Sequence, residues 1–510
     1  MLSGFKFYKE TVMPHTLKGY SYIAGQWQQG SSERFFSFSP ANNEPLNQAY
    51  YDITLDLVDT ACEAAQQAFV IYRQTSMQVR SAFLHAIADE IEALGEQLLD
   101  VTHQETNLPI ARLQGERGRT INQLRAFADA LADNLAPLHV TREDLAEPER
   151  QPLPKPHTRL KYLPVGPVAV FGASNFPYAF STLGGDTAAA LAAGCPVVMK
   201  SHRAHPGTSE LMTRAIDKAI QRCDMPSGVF SMLQGVNYDI SHRLVAAPQI
   251  KAVGFTGSMG VAKALMATIQ TRAETIPFYG ELGSINPQVV LPEALQSKPA
   301  LAEQLCASML MGNGQFCTSP GLWLVPADGC DAFMDKVIES INSAPSDTLL
   351  TPGIVRSFEH AIESLTDCKA TRLVAQGERQ RDFHANAHVF SCDAKAFLQT
   401  SLLHEEVFGP CALIVHYQDL MQLMEVINAL EGQLTASVHG ANEQNDEHQA
   451  LLEALSYKVG RLIMEQMPTG VEVCPSMNHG GPFPSSTDVR STSVGLEAMR
   501  RFMRPLCVQK

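Results

Sequence analysis

Four short apolar runs between residues 165 and 280, VGPVAVFG, CPVVMK, GVFSML and IKAVGFTG, are each followed by a stretch that a helix can occupy. Neighbouring parallel strands need a crossover of a dozen or more residues, usually helical, so this spacing predicts βαβ units and a parallel sheet. A second series from about 285 to 465 includes INPQVVL, GLWLVP, FGPCALIVHY and GRLIMEQ. A chain of 510 residues exceeds what one core accommodates. The expected fold class is α/β, with two α/β domains in sequence and a ligand cleft between them.

The flanking segments read differently. The first 50 residues look irregular. Behind a Ser76 cap, Leu84, Ile87, Ile91, Leu94 and Leu98 repeat at helical spacing and predict one apolar stripe. A further amphipathic pattern runs from about Gln104 to Leu138. Pro148, Pro152, Pro154 and Pro156 forbid a helix across 141–161 and favour an extended connector, or an arm crossing to a partner. The tail at 479–505, rich in Gly, Pro, Ser and Thr ahead of a short helix, is of the kind that wraps over another domain or subunit.

A formal net charge of −14 disfavours nucleic acid or an anionic membrane surface as the main partner. The eleven cysteines form no CxxC pair and no regular framework, as free thiols in a reducing cytoplasm would. The start, MLSGFKFYKETVMPHTLKG, has no long apolar core, and no run of apolar residues is long enough to span a bilayer. A cytoplasmic enzyme is expected.

Several residues stand in company suited to chemistry. Cys317 sits in NGQFCTSPG, among glycines and polar residues, where a turn would expose a thiolate to a ligand. Glu281, 36 positions earlier in FYGELGSINP, lies between two glycines, where burial would raise its pKa and make it a general base. Asn175, in VAVFGASNFP, follows a buried strand, and its amide can donate to a developing oxyanion. Each also has a structural reading: an inert turn cysteine, a capping or surface glutamate, a turn asparagine. No GxGxxG is present, but FTGSMG places Gly257 and Ser258 between a strand and a helix, where backbone N–H groups hold phosphate. No residues show metal-ligand spacing, so no metal is expected.

Together these segments resemble the aldehyde dehydrogenase superfamily over nearly the whole chain. FGASNFP matches the family's oxyanion segment, VVMK its adenosine-ribose segment and FTGS its phosphate turn. ELG matches the base, GQFC the nucleophile and EEVFGP (405–410) the nicotinamide-ribose contact. The resemblance implies that Cys317 attacks an aldehyde carbonyl, with Asn175 and the Cys317 backbone N–H stabilising the alkoxide. It implies a Cys317 thioester that Glu281-activated water hydrolyses to a carboxylate. Lys200 and Glu406 would hold the riboses, Phe408 would pack near the nicotinamide ribose, and Ser258 would meet the pyrophosphate. The implied fold is a Rossmann-like cofactor domain (1–145 and 162–279), a catalytic domain (280–478), and a β oligomerisation arm with the C-terminal tail (146–161 and 479–510). Such proteins assemble as homodimers or homotetramers. Two positions depart from the commoner pattern: Ala262 replaces a frequent glycine, and Ser174 replaces the aromatic before asparagine.

GQFCTSPG, HGGPFPSST and GGDTAAALAAGCPVVMKSHRAHPGTS lean toward the branch of α-ketoglutaric semialdehyde (2,5-dioxopentanoate) dehydrogenases and an NADP-linked fatty aldehyde dehydrogenase. Arg203 stands three positions after Lys200, where NAD-preferring relatives often place a glutamate. Two N–H donors facing a 2′-phosphate would favour NADP over NAD by about 1–3 kcal/mol; an arginine swung into solvent would contribute almost nothing. Glu116, Arg119 and Gln123 share one helix face, and the resemblance places Arg119 and Phe176 beside the aldehyde entry channel. Arg119 would suit an aldehyde with a distal carboxylate, or simply pair with Glu116. His479 in NHGGPF would lie near the mouth, either assisting proton transfer or serving as a turn histidine. A long-chain aldehyde dehydrogenase and a catalytically silent binding relative remain alternatives.

Overall fold

The strand Val168–Phe171 buries all four of its side chains, as do Val197–Lys200 and Phe230–Leu233 beside it. Continuous apolar burial of this kind requires cover on both faces, which crossover helices supply. The computed structural model describes residues 16–139 and 141–510, so the chain's start at 1–15, read above as lacking an apolar leader, lies outside the described residues.

Five parallel strands, in the order Phe278–Glu281, Ala252–Thr256, Val168–Phe171, Val197–Lys200 and Phe230–Leu233, form most of one seven-stranded sheet. A hairpin of Ser21–Ile23 and Gln26–Gln28 completes it in antiparallel sense. The second sheet also has seven strands: Arg372–Gln376, His388–Asp393, Cys411–Tyr417, Leu322–Pro326, Gln288–Val290, Gln433–His439 and Val459–Met464. All its pairings are parallel except the first. The α/β architecture and both strand series follow the sequence reading. A small antiparallel sheet joins Met503–Gln509, Thr158–Pro164 and Arg142–Asp144; the connector has no helix and its two ends are extended as expected, but Pro148, Pro152, Pro154 and Pro156 lie in the loop that joins those ends rather than in a strand.

Three local expectations are corrected. The first 50 residues are not irregular throughout, because Arg34–Ser39 and Glu44–Tyr51 pair as a ribbon besides the hairpin already named. The stripe from Leu84 to Leu98 is shared by two helices, Met77–Ala93 and Gly95–Thr106, which break at Leu94 while Leu84, Ile87, Ile91 and Leu98 all stay buried. The later pattern is likewise split, by left-handed Asn107 and by Pro109, ahead of the helix Ile110–Ala132. Ser76 caps as predicted, accepting from Val79 N at 3.2 Å. Among the described residues, no helix is long and apolar enough to cross a membrane.

Candidate active site

The helix Leu301–Leu310 gives way to Gly312, Asn313 and Gly314, all with positive φ, which turn the chain back toward the cleft. Only glycine fits at 314, because a Cβ there would lie 2.0 Å from the Gly409 carbonyl oxygen. The turn presents Cys317 half-buried. Asn286, from the ELGSINP segment, donates through Nδ2 to the carbonyls of Cys317 (2.8 Å) and Ser319 (2.9 Å). The segment carrying the glutamate therefore pins the loop carrying the thiol. The Cys317 backbone N–H has no hydrogen-bond acceptor among the described residues.

Glu281 ends the strand Phe278–Glu281, and the C-terminal tail runs along that strand's free edge. Thr487 N donates to Gly280 O at 3.0 Å, Leu282 N donates to Ser485 O at 2.9 Å, and Glu281 bridges to Ser486. The tail thus wraps over the rest of the chain, as its composition suggested. It also brings in two partners for the carboxylate: His479 Nε2 lies 2.5 Å from Oε1, and Ser493 Oγ donates to Oε2 at 2.5 Å. The same His479 Nε2 lies 3.5 Å from Cys317 Sγ. One ring nitrogen therefore stands between the sequence-predicted base and nucleophile.

The charges differ from the simple sequence expectation. Burial alone would raise the Glu281 carboxyl, but His479, Ser493 and Arg501 outweigh it and hold the group below its ordinary value. The expected upward shift is thus reversed by partners that the local sequence does not contain. Burial, then the neighbouring Glu281 and Glu406 charges, pushes the Cys317 thiol well above its ordinary value, with Arg119 opposing. The Cys317 sulfur therefore rests as a neutral thiol, and any nucleophilic use of it requires that proton to leave first.

Asn175 is buried and donates through Nδ2 to Gln315 O at 2.9 Å, which ties it two residues from Cys317 and leaves its second amide hydrogen free. Phe176 packs edge-on against Phe316 and Phe180, at 5.2 and 5.4 Å between centroids. Arg119 lies over Phe180 at 5.3 Å, and Phe180 in turn is 6.1 Å from the His479 ring. Glu116 does not pair with Arg119: its Oε1 accepts from the backbone of Tyr178 (2.8 Å) and Ala179 (3.0 Å). Arg119 Nη2 is buried without a partner among the described residues, an unmet donor that a ligand oxygen would satisfy.

The cofactor candidates lie on the first sheet and on the loop 405–410. Lys200 is buried, donates to Ser201 O (2.9 Å) and Gly235 O (2.6 Å), and is lowered by burial to about 8. Arg203 is exposed and pairs with no acidic group among the described residues. Gly257 and Ser258 lead into the helix Met259–Gln270; Ser258 leaves that N-terminus uncapped, and a Cβ at Gly260 would meet nothing within 4 Å. Open N–H groups at a helix start suit a pyrophosphate. Glu406 reaches solvent through a crevice whose walls strip enough water to raise its carboxyl to about 7. It lies against Gly283, where a Cβ would come 2.3 Å from Oε2. Phe408 is half-buried two residues further on. This donor set fits a nicotinamide dinucleotide.

Sequence reasoning missed Ser493, Arg501 and Asn286. The last had a signal in GSINP beside the glutamate; the first two lie more than 200 positions from Glu281 and had none.

The aldehyde dehydrogenase family pattern matches residues 27–504. The chain belongs to the aldehyde dehydrogenase family. It is 44% identical over 497 residues to alpha-ketoglutaric semialdehyde dehydrogenase 2 of Azospirillum brasilense, covering 97% of this chain and 94% of that protein. It is 42% identical to alpha-ketoglutaric semialdehyde dehydrogenase of Acinetobacter baylyi, covering 96% and 93%. Among solved structures, an aldehyde dehydrogenase of Pseudomonas aeruginosa superposes with a TM-score of 0.83 at 21% identity, covering 97% of each chain. Members of this family use NAD(P) to oxidise aldehydes, and this chain is an enzyme of that kind.

Proposed function

We propose that this dehydrogenase oxidises 2,5-dioxopentanoate (α-ketoglutaric semialdehyde) to 2-oxoglutarate, with NADP preferred over NAD. The observation that carries the substrate is Arg119, whose guanidinium has, among the described residues, an unmet buried donor and no ion pair, close to the ring that packs on His479. A carboxylate at the far end of a short aldehyde satisfies such a cation, whereas an alkyl chain leaves it unpaired. The names of the two relatives at 44% and 42% identity point the same way.

The residues would divide the work as follows. Cys317 Sγ attacks the carbonyl carbon while its proton passes through the His479–Glu281 pair to solvent, which leaves Glu281 ionised. The free amide hydrogen of Asn175 and the unpartnered N–H of Cys317 hold the alkoxide. A nicotinamide cofactor, when bound, would supply the hydride acceptor, and Cys317 would carry the acyl group as a thioester. Glu281, already ionised, then takes a proton from the water that releases the acid. Lys200, Glu406, Phe408, Gly257 and Ser258 would hold the dinucleotide, and exposed Arg203, with no acidic partner among the described residues, would meet a 2′-phosphate. We keep the division into 1–145 with 162–279, 280–478, and an arm of 146–161 with 479–510 as a proposal, although the strands Phe278–Glu281 and Thr158–Pro164 run across its bounds and Arg142–Asp144 pairs within the small sheet. The small antiparallel sheet would join copies into a homodimer or homotetramer. Eleven free thiols suit a cytoplasmic setting.

An aldehyde-by-cofactor matrix tests this. Expected is the highest kcat/KM with 2,5-dioxopentanoate and NADP. Arg119→Ala should cut kcat/KM for that substrate at least about tenfold while sparing pentanal, as a lost charge-assisted hydrogen bond requires. Equal losses for both, or a preference for C10–C14 aldehydes, would overturn the substrate. Arg203→Glu should raise KM for NADP far more than for NAD, and an equal effect on both would remove the cofactor argument.

A further inference from the structure

Although no spacing in the sequence announces a metal site, the fold gathers one sulfur, one imidazole nitrogen and one carboxylate oxygen from three distant segments. One donor atom each from Cys317, His479 and Glu281 lies within 4.8 Å of the others, and Glu281 and His479 are buried. This is a set of the type that holds zinc, with a fourth position left for water.

The distances permit closure. Zinc–sulfur and zinc–nitrogen bonds of about 2.3 and 2.0–2.1 Å at a tetrahedral angle put the two donors about 3.5 Å apart. Sγ and His479 Nε2 already stand at 3.5 Å. Nε2 and Glu281 Oε1, now hydrogen-bonded at 2.5 Å, would part to about 3.3 Å to admit the ion. The Ser493 hydroxyl on Oε2 would remain as the outer partner that orients the carboxylate. Charge favours the same outcome. A thiolate and a carboxylate together balance one dication, so the occupied set is neutral, and the cation supplies the charge that lets the thiol give up its proton.

We propose that Cys317, His479 and Glu281 bind a thiophilic divalent cation, zinc or a close relative, which reversibly masks the nucleophile. On binding, Cys317 forms the S–M bond and gives up its thiol proton to solvent. His479 contributes the Nε2 lone pair, so its ring proton resides on Nδ1. Glu281 contributes one oxygen, and no electron transfer occurs. This site needs none of the aldehyde chemistry, so it stands or falls independently of the substrate proposed above.

The test uses the cofactor-free full chain. Zn2+ added to the unaltered protein should release about one proton per chain and slow iodoacetamide labelling of Cys317, mapped by peptide mass, at least about tenfold. Chelation should restore the original labelling rate. Co2+ should give a thiolate charge-transfer band at one equivalent per chain. That band should vanish in Cys317→Ser, persist in Cys474→Ser, and need at least about tenfold more Co2+ in His479→Gln and Glu281→Gln. An unchanged Cys317 labelling rate in the unaltered chain under Zn2+ overturns the proposal, whatever the variants do. A band that survives Cys317→Ser overturns it too, by placing the cation on another thiol.

Discussion

Glu281 and Glu406 both raise the Cys317 thiol through their charge, yet their own carboxyls move in opposite directions. Burial pushes on both. Glu281 ends below its ordinary value because an imidazole, a hydroxyl and a guanidinium answer that push. Glu406 rises to about 7 because its crevice offers only the Ser284 backbone in reply. Near this cysteine, the partners supplied by the fold decide which glutamate is charged at rest, and depth does not. The buried one rests charged, as the proposed base must; the more exposed one titrates at about 7.

The largest effect that would break this contrast comes from Glu281→Gln. Turnover should fall about a hundredfold or more, as removal of a general base does. Iodoacetamide labelling of Cys317 should quicken at neutral pH, because the charge holding its proton is gone. Retained turnover would deny Glu281 the role of base. A smaller effect is expected from His479→Asn. Glu281 ionises at low pH because its carboxyl is held below 4.5, so the acid limb of the rate profile lies low in the parent. Without the imidazole that carboxyl rises, and the limb should move to higher pH with a loss of about tenfold in kcat. An unmoved limb would show that the ring does not set this charge. The smallest effect belongs to Glu406. Protonated below about 7 and charged above it, it should bind ribose hydroxyls more tightly as pH rises through that value. Glu406→Gln should raise cofactor KM a few-fold and abolish the trend, and a trend that persisted would place its origin elsewhere.

The strands of both sheets were legible because each is a short apolar run with a turn signal and a crossover of suitable length. The edge hairpin at 21–28 was not, since three-residue strands carry too little alternation to register. The breaks at Leu94 and Asn107 were masked by an apolar stripe that continues across them, although Pro109 was there to be read. Cys317, Glu281 and Asn175 stood out because glycines and polar residues replace ordinary core around them. What those residues would do was less legible. The imidazole and hydroxyl that reverse the charge of Glu281 lie 198 and 212 positions away, and only chain closure brings them near.

That closure has a consequence for how the enzyme is made. The sulfur at 317 leaves the ribosome 162 residues before the imidazole at 479, so a nascent chain carries its proposed nucleophile long before the clasp along 278–281 exists. Until those last segments emerge and dock, the half-built protein holds a cysteine with no imidazole beside it, and reactive carbonyls in the cell meet a chain not yet equipped to turn them over.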